Sequence, residues 1–123
     1  MGNISIIPTR SDYFIVQELG TLILNPEFIK EMGEPLKYDR SQFWQIAYVD
    51  KIFAGFIVYN LGTILYAYTK KEYRNQGIFN KLFNTVPNCV TNVVASNMSL
   101  PIFLNKGFKL KKSYTTCHKL MRM

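Results

Sequence analysis

The stretch with the most chemistry in it is Tyr68-Thr69-Lys70-Lys71-Glu72-Tyr73-Arg74-Asn75-Gln76-Gly77-Ile78-Phe79. A strand runs into a short polar loop carrying an arginine and a glycine, and then into a helix. The first backbone N–H groups of a helix have no partner inside it. They also lie at the positive end of the helix dipole. A phosphate placed there meets several donors at once. Gly77 lets the backbone come close, and Arg74 and Lys81 add charge-assisted contacts. The chemistry this segment offers is anion binding; its plainer reading is an ordinary helix start with a solvated arginine.

Acid–base chemistry has four further candidates. Tyr66 and Tyr68 share one face of the strand before the loop. Tyr114 and His118 are placed on one face of the last strand, and His118 is the single histidine, the residue type most used for proton transfer. For each, core filling or plain surface exposure is the blander role. Cys89 and Cys117 lack metal-ligand spacing and a partner histidine. They read as buried reduced thiols, and no metal site is expected.

The elements that must position these residues follow from pattern. Ile4 to Pro8 reads as a first strand. Ser11 caps a helix that stops near Gly20, and Pro26 opens a second that runs to about Met32. Glu34 to Ser41 reads as a polar loop. Trp44 to Val49, Ile52 to Asn60 and Thr63 to Thr69 read as an antiparallel meander, turned at Asp50-Lys51 and Leu61-Gly62, with Gly55 marking a bulge. Gly77 to Val86 carries apolar residues at helical spacing and ends at Pro87. Val90 to Ala95 is a short apolar strand. Asn97 to Lys106 is a helix with Leu100, Phe103 and Leu104 inward, closed by Gly107. Phe108 to Lys112 and Tyr114 to Met121 complete the set. The economical packing is an α/β (α+β) fold, one domain over residues 1–123: a central mixed, mostly antiparallel sheet of about six to seven strands with helices on both faces.

Composition bounds the reading. The chain has 123 residues, is 48% hydrophobic, and has nine Phe and eight Tyr, enough apolar surface for one core. No apolar run approaches the ~20 residues of a membrane span. Met1 to Arg10 has no secretory pattern, and the expected location is cytoplasmic. Charge is uneven: Met1 to Glu72 holds seven basic and eight acidic side chains, while Tyr73 to Met123 holds eight basic and none acidic. A one-signed half attracts anions, either cofactor phosphates or nucleic acid, or it merely solubilises the surface.

The Tyr73-to-Phe79 segment resembles the pyrophosphate loop of the Gcn5-related N-acetyltransferases, Arg/Gln-x-x-Gly-x-Gly/Ala after a fourth strand. Phe79 departs from it, since a small residue normally stands there. Downstream, Asn97 and Phe103-Leu104-Asn105-Lys106-Gly107-Phe108 resemble the family's Asn…Tyr-x-x-x-Gly-Phe segment. The two motifs span Thr63 to Phe108, and the element order extends the likeness over the chain.

The resemblance implies acetyl-coenzyme A as co-substrate and transfer of its acyl group to an amine of a small molecule or protein. Backbone near Tyr68 and Thr69 would bind the pantetheine arm as an extra strand would. Amides of Asn75, Gln76, Gly77, Ile78 and Phe79 would hold the diphosphate, with Arg74 and Lys81 adding charge. Asn97 and Phe103 would line the other side. The family's tyrosine acid is matched by Phe103, and its strand-borne glutamate is absent from Ile64-Leu65-Tyr66-Ala67-Tyr68. Two other functions compete: an enzyme of this fold acting on a DNA base or an aminoacyl-tRNA, and a non-catalytic module binding acyl-coenzyme A or nucleic acid.

Overall fold

The computed structural model describes residues 3–10, 26, 30, 42–97, 99–115 and 117–122. Seven strands, β1 (Ile4–Arg10), β2 (Phe43–Val49), β3 (Ile52–Tyr59), β4 (Thr63–Thr69), β5 (Asn92–Ser96), β6 (Lys109–Ser113) and β7 (Cys117–Met121), form one sheet in the order β1-β2-β3-β4-β5-β7-β6. Every neighbouring pair is antiparallel except β4 and β5, which are parallel. A 3-10 turn follows β4 at Lys71–Tyr73, and two helices, α1 (Ile78–Asn84) and α2 (Leu100–Asn105), flank β5 in sequence. The helix expected over Ser11 to Gly20 and the loop over Glu34 to Ser41 lie outside the described residues. Of the helix expected from Pro26, only Pro26 and Lys30 are described, and both are helical.

Alternation along the strands divides the core in two. One face carries Ala47, Ile57, Ile64, Val93, Ala95 and Leu120, covered by Ile78 and Leu82 of α1 and Phe103 of α2. The other carries Trp44, Ile46, Phe56 and Val58, with Tyr48, Phe53, Tyr66 and Tyr68 packed around them. Strands buried on both faces are read in the sequence as near-continuous apolar runs.

Several expectations need correcting. Leu104 is not inward: it is 45% exposed, because a six-residue α2 turns only Phe103 fully into the core. α1 ends at Asn84, short of Pro87, as Thr85 Oγ1 and Thr85 N–H both bond back to the Leu82 carbonyl. Tyr114 is not on the last strand. It lies in the turn after β6, where its N–H donates to the Cys117 carbonyl, so it shares no strand face with His118. Cys89 is exposed rather than buried. The bulge near Gly55 lies one residue earlier: Ala47 pairs with Gly55 and Tyr48 with Phe53, leaving Ala54 as the extra residue.

Candidate functional site

β4 is paired with β3 along its length, but with β5 only at Thr63–Asn92 and Ile64–Val93. A second bulge explains the break. Val58 pairs with Tyr66 and Tyr59 with Ile64, so Leu65 is extra on β4. A bulge bends its strand and re-aims the residues beyond it. β5 meanwhile stays with β7 through all five of its residues. Past Ile64 and Val93 the two parallel strands part, and a groove of about 540 Å³ opens between them.

One wall of the groove is the end of β4, Ala67 to Thr69. The other is built from Ser96, Ser99, Ile102 and Asn105. The floor at its far end is the loop after β4 together with the first turn of α1. Arg74 fastens this loop: its Nε donates to the Thr69 carbonyl at 2.8 Å, and its guanidinium lies 5.8 Å from the Tyr68 ring centre. The backbone then takes positive φ at Asn75 (65°) and Gly77 (81°). Asparagine tolerates that region and glycine enters it freely. A Cβ on Gly77 would meet nothing within 4 Å, so the glycine serves the backbone angle and not a tight contact.

The loop supplies donors. The first bond inside α1 runs from the Lys81 N–H to the Gly77 carbonyl at 3.1 Å. Among the described residues, the N–H groups of Asn75 to Asn80 find no acceptor, and no side chain caps the helix. Five of these six residues line the groove. The exception is Gln76, whose side chain turns away to donate to the Glu72 carbonyl at 3.2 Å. Such a run of amides suits an anion with several oxygens.

The groove takes in Tyr68, Thr69, Arg74, Asn75, Gly77, Ile78 and Phe79 from the sequence-based set. It does not take in the rest. Lys81 is exposed on α1. Phe103 is 1% exposed, set edge-on against Phe79, Phe83 and Phe108. Tyr66 belongs to the second core face. Tyr114 is exposed, with the ammonium groups of Lys112 and Lys119 at 5.2 and 5.8 Å from its ring centre. The Asn97 carboxamide turns towards β7: its nitrogen donates to the Thr115 carbonyl at 3.3 Å and its oxygen meets His118 Nε2 at 2.5 Å. His118 Nδ1 meets Ser113 Oγ at 2.9 Å. Both ring nitrogens are therefore engaged, and His118 braces the β6–β7 end of the sheet.

Pattern reading missed Ser96, Ser99, Ile102 and Asn105. The last two stand three apart on α2, a helical spacing that marks one face. Asn80 was missed as well: it lines the groove, and its Oδ1 accepts a hydrogen bond from Lys106 Nζ, joining α1 to α2. Among the described residues no carboxylate lines the groove.

No protein-family model matches the sequence, and no curated protein matches it. Solved structures do. An acetyltransferase from Thermus thermophilus superposes with a TM-score of 0.73 at 14% identity, covering 99% of each chain. Naa50 of Arabidopsis thaliana, solved with a bisubstrate analogue of coenzyme A, gives 0.68 at 15% identity over 98% of each chain. The PaiA N-acetyltransferase of Thermoplasma acidophilum, solved with coenzyme A, gives 0.66 at 15% identity over 96% of this chain and 98% of its own. These likenesses over nearly the whole chain show that it has the fold of the Gcn5-related N-acetyltransferases.

Proposed function

We propose that the groove binds acetyl-coenzyme A and that the protein transfers its acyl group to an amine. One observation carries this reading: β4 and β5 part after two register pairs, and the gap leads to the amides of Asn75 to Asn80, which find no acceptor among the described residues. An elongated ligand with a diphosphate at one end matches that shape. The diphosphate meets the loop amides, with Arg74 at the lip and Lys81 adding positive field from outside. The pantetheine arm lies along Ala67 to Thr69, beyond the last β4–β5 register pair at Ile64 and Val93. Two of the structural neighbours were solved with coenzyme A or an analogue of it, which supports the choice of ligand.

The chain's own contribution to the reaction is mainly placement. Holding amine and thioester together removes much of the entropic barrier. Of the four acid–base candidates from the sequence, Tyr68 lines the groove, beside a second phenol, that of Tyr73.

Titration calorimetry with coenzyme A tests the reading. Saturable binding is expected, and its absence at high micromolar ligand overturns the proposal. Arg74→Ala should weaken binding by about tenfold, the scale of one charge-assisted contact. Unchanged affinity would remove Arg74 from the site.

A second reading concerns the acceptor. β6 is an edge strand whose five residues are all exposed, three of them lysines, and Lys119 and Tyr114 stand beside it. Cations interleaved with an aromatic ring suit phosphates and stacked bases. On this reading the amine lies on nucleic acid. A gel shift with DNA and with tRNA should then show affinity falling steeply with salt. No shift at low salt leaves the small-molecule or protein amine as acceptor.

A further inference from the structure

The groove wall opposite β4 carries two serine hydroxyls that no pattern in the sequence singled out. Ser99 is 9% exposed and Ser96 is half-buried, and both line the groove. They are bonded reciprocally. The Ser96 N–H donates to Ser99 Oγ at 3.0 Å, and the Ser99 N–H donates to Ser96 Oγ at 3.2 Å. The two hydroxyl oxygens are 3.1 Å apart.

Counting donors and acceptors gives the pair a direction. A hydroxyl has one hydrogen and two lone pairs. If Ser99 donates its hydrogen to Ser96 Oγ, that oxygen accepts twice, from the Ser99 N–H and the Ser99 O–H. Its own hydrogen then has no acceptor in the pair and is available to the groove. The alternative sends the Ser99 hydrogen to the Ser96 carbonyl over 3.4 Å, at the long limit for such a bond. A hydrogen-bond acceptor in the groove selects the first arrangement. Ser96 is then a donor-only group, suited to a centre that gains negative charge.

Position says which centre. Ile64–Val93 is the last register pair of the seam. Ala67 and Ser96 are the groove-lining residues nearest to it along each strand. The loop amides lie at the opposite end. A coenzyme with its diphosphate on the loop therefore brings its thioester end towards Ser96.

We infer that the Ser96 hydroxyl, held in place by Ser99, donates a hydrogen bond to the coenzyme sulfur as it leaves. The inference rests on the coenzyme reading above. In the step, the amine nitrogen bonds to the acyl carbon and the carbon–sulfur bond breaks, its electron pair going to sulfur. The nitrogen loses a proton to solvent, and the thiolate, steadied by the hydroxyl, takes one from solvent. The products are the amide and free coenzyme A. Ser96 is never deprotonated, and it supplies part of what a tyrosine at position 103 would otherwise give.

The test needs no acceptor. The thiol of protein-bound coenzyme A is titrated by its thiolate absorbance, with the desulfo-coenzyme A complex subtracted to remove tyrosine ionisation. The bound thiol should ionise about one pH unit below the free thiol, the scale of one hydrogen bond to a charged group. Ser96→Ala should return it to the free value, and Ser96→Thr should keep the lowering. Ser99→Ala should lose part of it. Affinity for desulfo-coenzyme A should stay within about twofold in each variant, which also shows that the fold and the groove are intact. A wild-type complex whose thiol ionises like free coenzyme A overturns the inference, even if no variant folds. So does a lowered value that persists in Ser96→Ala. Failure of the wild type to bind either ligand instead overturns the coenzyme reading, and this inference with it.

Discussion

Phe79 and Phe103 touch, edge to face, with ring centres 5.4 Å apart. Each departs from the motif it sits in, and the contact joins the two departures. Phe79 lines the groove, whereas Phe103, its edge-to-face neighbour, is 1% exposed and does not. Restoring a tyrosine by Phe103→Tyr should therefore not restore an acid. It should bury a phenolic O–H among Phe79, Phe83 and Phe108 and cost about 1–3 kcal/mol. Chemical denaturation with a turnover assay checks this; undiminished stability with faster acyl transfer would contradict it. Gly77→Ala has open space for its methyl group but a φ of 81°, so its cost is conformational, about 1 kcal/mol. At this scale the sequence was informative at Gly107, read as the close of a helix and found with a φ of 92°; at Gly77 the residue answers to a backbone angle and not to the close approach expected of it. The sequence was uninformative where partners are distant. Asn97 looked like a ligand for the groove, yet its carboxamide is held by Thr115 and His118, 18 and 21 residues away.

The β2–β3 hairpin turns at Asp50 and Lys51, both with positive φ, the geometry of a type I′ turn. Asp50 also anchors β1, since its Oδ1 and its N–H bond to the backbone of Asn3. Lys51 has no such duty, and Lys51→Gly should raise stability by about 1 kcal/mol, read as a higher denaturation midpoint. Gly55 is the opposite case. A Cβ there would lie 2.4 Å from the Tyr68 carbonyl oxygen and 3.0 Å from the Thr69 Cα, both backbone atoms. Gly55→Ala must push the end of β4 outward, costing roughly 1–3 kcal/mol. The same shift moves a groove wall, so coenzyme affinity should fall with stability; a variant that loses stability but binds normally would separate the two. Strands were legible because two-sided burial writes apolar runs. Helix ends were not. α1 stops early through a threonine side chain bonding backwards, and α2 starts late because the Ser96–Ser99 turn claims the preceding backbone.

Across the molecule, positive charge gathers on the later half of the chain, and the structure sets part of it on the β6 edge. Lysines on an edge strand also discourage a second chain from pairing there. The strand order was readable only in part. The meander follows from short turns, but nothing local announces that β7 lies between β5 and β6, or that the sheet opens beside β4. That opening has a mechanical meaning. α1 packs against β1 to β4 and α2 against β5, so the sheet is two slabs, each with its own helix, sutured at two rungs. The Phe79–Phe103 contact and the Asn80–Lys106 bond cross between the slabs above the suture. A ligand lodged in the cleft would act as a splint, and amide hydrogen exchange over Leu65 to Thr69 and Val94 to Ser96 should slow when coenzyme A is added. Equal exchange with and without it would mean the slabs do not breathe apart, and that the cleft is a rigid notch rather than a jaw.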